Sequence, residues 1–547
     1  MAAGRILLRG AVQSLGIRPA VSRWAQECGV AGFVMNTSAG VLIHAESADA
    51  AQLKRFVDKL KCALPNACGL TVADVAECQP LQSTGFEIRE SVEECGETAL
   101  GTIVPADLKV CPDCVEEVLD AGNRRYGYAF SGCTECGPRY SLIAAMPFER
   151  VRTAMTDFPM CSACRAEYQS ANDRRFHAQT NACPNCGPRL YVENTRSSAI
   201  TAGSTSPSAA SPDRAPSNAT TLPAAALSVA DLRAAADVLR NGGLVSMKGV
   251  GGFQWVCDTE NEAAVRRLRS VKCRPTKPMA VMVADRQQLA REVSDIEREL
   301  LESRMNPIVL LPAGVLPELA SSVCCGLPTV GVMLPTTPLH VLLLTELKRP
   351  LVVTSGNLSS EPLPFTTDDQ AAVFCDLTLN HDRRILRPID DSVVQVLCGR
   401  SATIRAARGQ APVSLRAIRT STHILAVGGH QKVTVALSNS EQSVLGPHIG
   451  DMSTLSARQR FTEQVSALLK LYGARPTVIA HDLHPDYFTT LWAGQQNLRC
   501  VGVQHHHAHT AASMAEHGLL DTTVLGVCFD GTGYGTDGTI WGGEFLL

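Results

Sequence analysis

Apolar and polar positions divide the chain into stretches of different period. The run R-I-L-L-R-G reads as a strand, and a helical spacing follows from Pro19 to Cys28. Strand patterns near Gly32–Met35 and Gly40–His44, a helix over about Ala48–Leu64, and strands near Ala73–Cys78 and Phe86–Ile88 complete residues 1–91. That β-α-β-β-α-β order predicts a split βαβ domain. Residues 225–412 alternate helical and strand patterns, the mark of an α/β domain. A boundary follows R-G-Q-A-P near Pro412. From 423 to 547 come paired strands, a helix near Ser456–Tyr472, and the strands T-V-I-A-H, C-V-G-V-Q and T-T-V-L-G-V-C-F-D separated by helices. Residues 193–224 break the pattern: Ser, Ala, Thr and Pro bury too little surface to offset the entropy of ordering, which predicts a flexible linker or insertion.

Length and charge narrow the class. A chain of 547 residues holds about three to five domains. A net charge of −3, with no long lysine or arginine run, speaks against broad nucleic-acid or anionic-membrane binding. The opening residues lack a secretory apolar core, and no apolar run is long enough to span a bilayer. Together with 21 cysteines, an odd number, this points to a cytoplasmic, reduced enzyme that binds metal through some of its thiols.

Four C-x-x-C pairs stand in residues 105–192: Cys111/Cys114, Cys133/Cys136, Cys161/Cys164 and Cys183/Cys186. The second half copies the first at an offset of 50, down to C-T-E-C-G-P-R against C-P-N-C-G-P-R. Each half supplies the four thiolates of a closed tetrahedral Zn²⁺ site, with no coordination position left for substrate, so two structural zinc ions are expected. Free or redox thiols are the alternative, and the repeated spacing disfavours them. The other cysteines read as small buried apolar residues.

The loop G-A-V-Q-S-L-G-I-R-P, between the first strand and helix, offers amides and the Arg18 fork to an anion. It resembles the acylphosphatase signature G-x-V-Q-G-x-G-F-R. That resemblance implies a ferredoxin-like acylphosphatase domain in which Arg18 binds the phosphoryl group and Asn36 positions the attacking water. Ser14 and Ile17 depart from the signature, and a serine in place of a glycine that needs positive φ would weaken activity.

Lys272, Arg274 and Lys277 cluster in K-C-R-P-T-K-P, Lys248 follows a strand, and P-T-T-P-L-H and T-S-G-N-L-S come later. Cations among glycines, hydroxyls and an asparagine suit a triphosphate and its leaving pyrophosphate. The segment is similar to the YrdC family, which makes acyl-adenylates. The motif match implies ATP or adenylate contacts from Lys272, Arg274, Ser355, Asn357, Ser392 and Arg408, with Lys248 and Lys277 as further candidates, and Mg²⁺ accompanying ATP.

In V-Q-H-H-H-A-H, the helical period puts His505 and His509 on one face, while His506 and His507 point elsewhere. Asp530 is expected to end the next strand, before a glycine-rich turn. The domain order, with H-I-G-D at 448–451 and the D-G-T-G-Y-G-T-D-G-T-I-W-G-G-E run at 530–544, resembles the HypF carbamoyltransferases of [NiFe]-hydrogenase maturation. The resemblance implies that carbamoyl phosphate is hydrolysed and the carbamate adenylated with ATP. The carbamoyl group then passes to the C-terminal cysteine of a HypE-like partner, toward a cyanide ligand of iron. It also implies an actin/Hsp70-like (ASKHA) transferase domain in which His505, His509 and Asp530 hold a third metal, zinc or iron. The chain ends on apolar W-G-G-E-F-L-L, so only the first lobe of that domain is expected, with adenylation surviving and transfer crippled. The competing readings are threonylcarbamoyl transfer in tRNA modification and a non-catalytic zinc-stapled scaffold.

Overall fold

The computed structural model describes residues 2–10, 13, 16–37, 40–63, 71–91, 104–193, 224–366, 374–415 and 418–547. Ser14 and the linker Asn194–Pro223 lie outside the described residues. The first domain is built from β1 (Ala2–Arg9), α1 (Ile17–Cys28), β2 (Ala31–Thr37), β3 (Gly40–Ser47), α2 (Ala50–Ala63), β4 (Thr71–Glu77) and β5 (Phe86–Ile88). Its sheet runs β4-β1-β3-β2-β5, with β2 and β5 parallel. Ile6, Leu8, Val34 and Ile43 on the sheet pack with Val21 of α1 and Phe56 and Leu60 of α2, all fully buried. That alternation of buried positions is why these strands form.

The α/β domain is a ten-stranded mixed sheet. Its edge strand, Leu190–Glu193, comes from the end of the cysteine-rich segment and pairs antiparallel with Leu377–His381. The third sheet has six strands, with Ile424–Ala426, Val478–Asp482 and Arg499–Val503 side by side and parallel. Gly526–Tyr534 and Ile540–Leu546 form a separate antiparallel hairpin. Asp530 therefore does not end its strand. A register irregularity between Phe529 and Gly533 lets the glycine-rich run D-G-T-G bulge within the strand.

The cysteine-rich module joins the other units. Tyr128, Phe130, Leu142 and Met155 belong to the core of the α/β domain, while Tyr140, Ile143 and Phe148 share a core with Leu425, Phe461 and Tyr472 of the third. The Phe148 N–H also donates to Gln13 Oε1 of the first domain at 2.7 Å. Among the described residues, no helix is long and apolar enough to cross a membrane.

Candidate functional site

Cys111 caps the helix Pro112–Leu119, with Cys114 in its first turn, and Cys161 and Cys164 repeat this at Ser162–Gln169. A helix N-terminus favours the thiolate form. Cys111–Cys133, Cys133–Cys136 and Cys136–Cys114 sulfurs lie 3.7, 3.7 and 3.6 Å apart. In the second set, Cys161–Cys183, Cys183–Cys186 and Cys186–Cys164 lie at 3.8, 3.8 and 3.6 Å. A tetrahedron of sulfurs around zinc at about 2.3 Å has edges of about 3.8 Å, so both sets fit the ion.

Each set is braced by the other repeat. Arg174 donates to Cys111 and Cys114 sulfurs at 3.7 and 2.8 Å, and Arg124 donates to Cys164 at 3.3 Å. Beside them Arg175 pairs with Glu117 and Arg125 with Glu167. Burial raises the Glu167 carboxyl, but Arg125 and Arg124 overcome it and hold the group down at about 2.

Arg18 stands in the first turn of α1, which Gly16 opens in the left-handed region at φ 70°. The loop before it is pinned by Gln13 Nε2, which donates to Thr37 O at 2.8 Å and Gly40 O at 3.2 Å. Arg18 and Asn36 line one cavity, roofed by Cys133, Thr134, Phe148 and His177–Thr180 of the cysteine module. Asn36 is 1% exposed, and neither atom of its amide has a hydrogen-bond partner among the described residues. Arg18 Nη1 donates to Glu149 Oε1 at 3.2 Å, and burial pulls the guanidinium below its ordinary range. Burial and the Arg18 charge push His177 down to about 4, so its ring is neutral at pH 7. A buried fork beside an unsatisfied amide can hold a phosphoryl group and orient a water.

A second cavity lies in the α/β domain, among Gly251, Gly252, Ser355, His340, Asp390, Asp391 and Arg408. A side chain at Gly251 would meet Ile389 O at 2.0 Å, which fixes glycine there. Lys272 Nζ gathers Ser355 and Asn357, donating to the Ser355 carbonyl and hydroxyl and to Asn357 O and Oδ1 at 2.8 and 3.0 Å. Arg408 donates from Nε to Asp391 at 2.6 Å and from Nη2 to Asn306 O at 2.8 Å. Ser392 is fully buried, and its hydroxyl joins the Arg408 carbonyl and the Ala407 N–H, so it braces the strand rather than facing the cavity. Lys248 likewise donates to His381 O and is not a wall residue of this cavity. Arg274 donates to Lys277 O at 3.2 Å.

Burial and the neighbouring Arg274 push Lys272 down to about 7. Burial and Arg269 push Arg274 to about 10, and burial and Arg274 lower Lys277. Arg405 adds to the repulsion at all three, which only Asp390 and Asp451 oppose among the groups that shift them. Cations so crowded favour a polyanion between them. The H-I-G-D segment of the third domain faces the same cluster: burial and Arg405 push His448 down to about 4, and Asp451 acts on Lys277.

His505 opens the helix His505–Glu516, directly after the strand Arg499–Val503, and Asp482 ends the parallel strand beside it. The carboxyl ends of neighbouring parallel strands thus bring the two together. His505 Nδ1 lies 2.6 Å from Asp482 Oδ2, while Asp530 Oδ2 is 2.9 Å from His505 Nε2 and 3.3 Å from His509 Nε2. Asp482 orients the ring through Nδ1 and leaves Nε2 for an ion, so the three donors fit a metal with room for an external ligand. His506 is fully buried and turned away, with its Nε2 3.2 Å from Gly542 O. Sequence reasoning did not reach Asp482, Glu149, His177 or the crossed arginines, because each meets its partner only in three dimensions. The aspartate ending T-V-I-A-H-D was the one available signal.

Comparison with known proteins matches these units in order. Residues 4–88 match the acylphosphatase family and residues 110–143 and 160–193 the HypF finger. Residues 237–407 match the family described under telomere recombination (Sua5/YciO/YrdC). Residues 419–516 match the HypF Kae1-like domain, and 526–547 match the second subdomain of the Kae1-like carbamoyltransferase domain. The two four-cysteine sets are accordingly structural zinc sites. Carbamoyltransferase HypF of Synechocystis is 43% identical over 99% of this chain and 67% of its own length. A crystal structure of full-length HypF in its phosphate- and nucleotide-bound form superposes with a TM-score of 0.89, at 37% identity, over 100% of this chain and 68% of that one. A threonylcarbamoyl-AMP synthase of Vibrio cholerae matches only 26% of this chain, at 29% identity. With its residues, geometry and domain order in agreement, the chain belongs to the HypF carbamoyltransferase family.

Proposed function

We propose that the chain converts carbamoyl phosphate and ATP into carbamoyl-adenylate for [NiFe]-hydrogenase maturation. The unsatisfied Asn36 amide beside Arg18 is the observation that carries the first step. Arg18 binds the phosphoryl oxygens, and Asn36 holds a water against phosphorus. The P–O bond to the carbamoyl oxygen breaks, giving carbamate and dihydrogen phosphate.

In the α/β cavity a carbamate oxygen attacks the α-phosphorus of ATP, and the bond to the β-phosphate breaks to release pyrophosphate. Lys272, Arg274 and Lys277 receive the polyphosphate with its Mg²⁺, and Lys272 holds both Asn357 and the cavity-wall residue Ser355. Arg408, fixed by Asp391, closes the other side. His505, His509 and Asp530 would hold a divalent ion, zinc or iron, which would supply Lewis-acid chemistry for the transfer step. The C-terminal cysteine thiolate of a HypE-like partner then attacks the carbamoyl carbon and AMP leaves. Zinc sites built from four thiolates suit a reducing compartment, and we place the protein in the cytoplasm.

Phosphate release from carbamoyl phosphate tests the first step. Arg18→Ala is expected to abolish it while zinc content stays constant; undiminished release would overturn the assignment of Arg18.

A further inference from the structure

A third cavity sits between the two already described, at the seam of the cysteine module and the α/β domain. It shares the wall residue Thr180 with the Arg18 cavity, and Val250 and Thr336 with the Asp391/Arg408 cavity. The charged residue on its wall is Arg383, only 7% exposed. Its Nε has no hydrogen-bond partner, and the guanidinium forms no ion pair among the described residues; it lies 5.1 Å from the centre of the Phe130 ring.

A buried cation without a partner carries a large desolvation penalty, and proteins rarely keep one unless something anionic visits. Tyr128, Asp107 and Asp382 are the groups whose fields favour its charge, none close enough to pair. Asp107 is itself occupied by the Arg139 and Ser141 N–H groups and the Ser141 hydroxyl. Burial lowers Arg383 to about 10, which still leaves it cationic at neutral pH. A guanidinium matches a planar carboxylate-like anion in size and bidentate geometry, and an aromatic face beside it excludes water.

We infer that Arg383 is a binding station for a small planar monoanion, the carbamate passing from the Arg18 cavity to the adenylation cavity without entering solvent. This rests on the function proposed above. Carbamate decomposes in water, so a fixed cation at the midpoint raises the fraction that arrives. Inorganic phosphate leaving the first cavity is the other anion of matching charge, and the test separates the two.

The experiment compares the full-length wild type with Arg383→Met and Arg383→Lys. It measures pyrophosphate formed per phosphate released when carbamoyl phosphate and ATP are supplied. Arg383→Met is expected to lower that ratio roughly tenfold, the loss of one charge-assisted contact. Phosphate release itself should continue, and Arg383→Lys should recover part of the ratio. When carbamate is instead supplied from concentrated ammonium bicarbonate, Arg383→Met should form pyrophosphate like the wild type. An unchanged ratio overturns the proposal. So does slower phosphate release at constant ratio, which would assign Arg383 to phosphate exit. An equal loss with added carbamate overturns it too, by placing Arg383 in the adenylation chemistry. If the wild type itself makes no pyrophosphate from carbamoyl phosphate, the underlying function fails, visibly and before any variant is compared.

Discussion

Arg174 reaches across the internal repeat of the cysteine module and places its Nη2 2.8 Å from Cys114 Sγ. Arg124, its counterpart 50 positions earlier, does the same for Cys164. Each zinc shell therefore draws its charge-assisted donors from the other half, and neither half is complete alone. Arg174→Met is expected to weaken retention of the first zinc by about 10- to 100-fold, the usual effect of removing an outer-shell partner. Competition with a chromophoric chelator measures it, and the second zinc serves as the internal reference.

Asn36 offers an amide with no partner among the described residues, beside Arg18. Asn36→Ala is expected to slow phosphate release from carbamoyl phosphate by about 100- to 1,000-fold, with little change in KM, because a water-orienting group acts mainly in the transition state. Steady-state phosphate release reads this out. A rise in KM alone would make Asn36 a binding group.

Lys272 sits near 7 because burial and Arg274 oppose its charge. ATP binds the protonated amine, so affinity should be highest below pH 7 and fall as pH rises above it. At pH 7 to 8 binding should take up a proton, seen by calorimetry in buffers of different ionisation heat. Lys272→Arg, which stays charged, should flatten this profile. The same shift works on stability: the unfolded lysine titrates near 10.4, so between about 7 and 10.4 the unfolded chain binds more protons and this group makes folding more favourable as pH rises.

Asp482 accepts from His505 Nδ1 at 2.6 Å and so fixes which nitrogen faces Asp530. Asp482→Asn is expected to lower divalent-metal affinity at this site by about 10- to 100-fold, and His505→Ala to abolish it. Zinc titration of protein with both four-cysteine sites filled measures both variants.

The sequence announced most of the architecture through local signals. The repeat offset found all eight zinc-ligand cysteines, and the 3.6-residue period placed His505 above His509. Contacts across the chain were not legible. Nothing near Arg18 in sequence announces that Glu149 pairs with it and His177 roofs its cavity, because the cysteine module that carries them docks through long-range packing. The same limit explains Ser392, whose motif suggests a phosphate contact while its hydroxyl is used by the Ala407 and Arg408 backbone. Asp530 shows a second kind of miss: the glycine-rich run after it reads as a turn, but a bulge absorbs it and the strand continues.

On the proposed function, one chain both makes carbamate and adenylates it. Exchange of labelled pyrophosphate into ATP tests it most directly, with either carbamoyl phosphate or threonine plus bicarbonate as the acid source. Exchange should depend on carbamoyl phosphate and disappear in both Arg18→Ala and Lys272→Ala. Exchange driven by threonine plus bicarbonate, or none with either source, would contradict it.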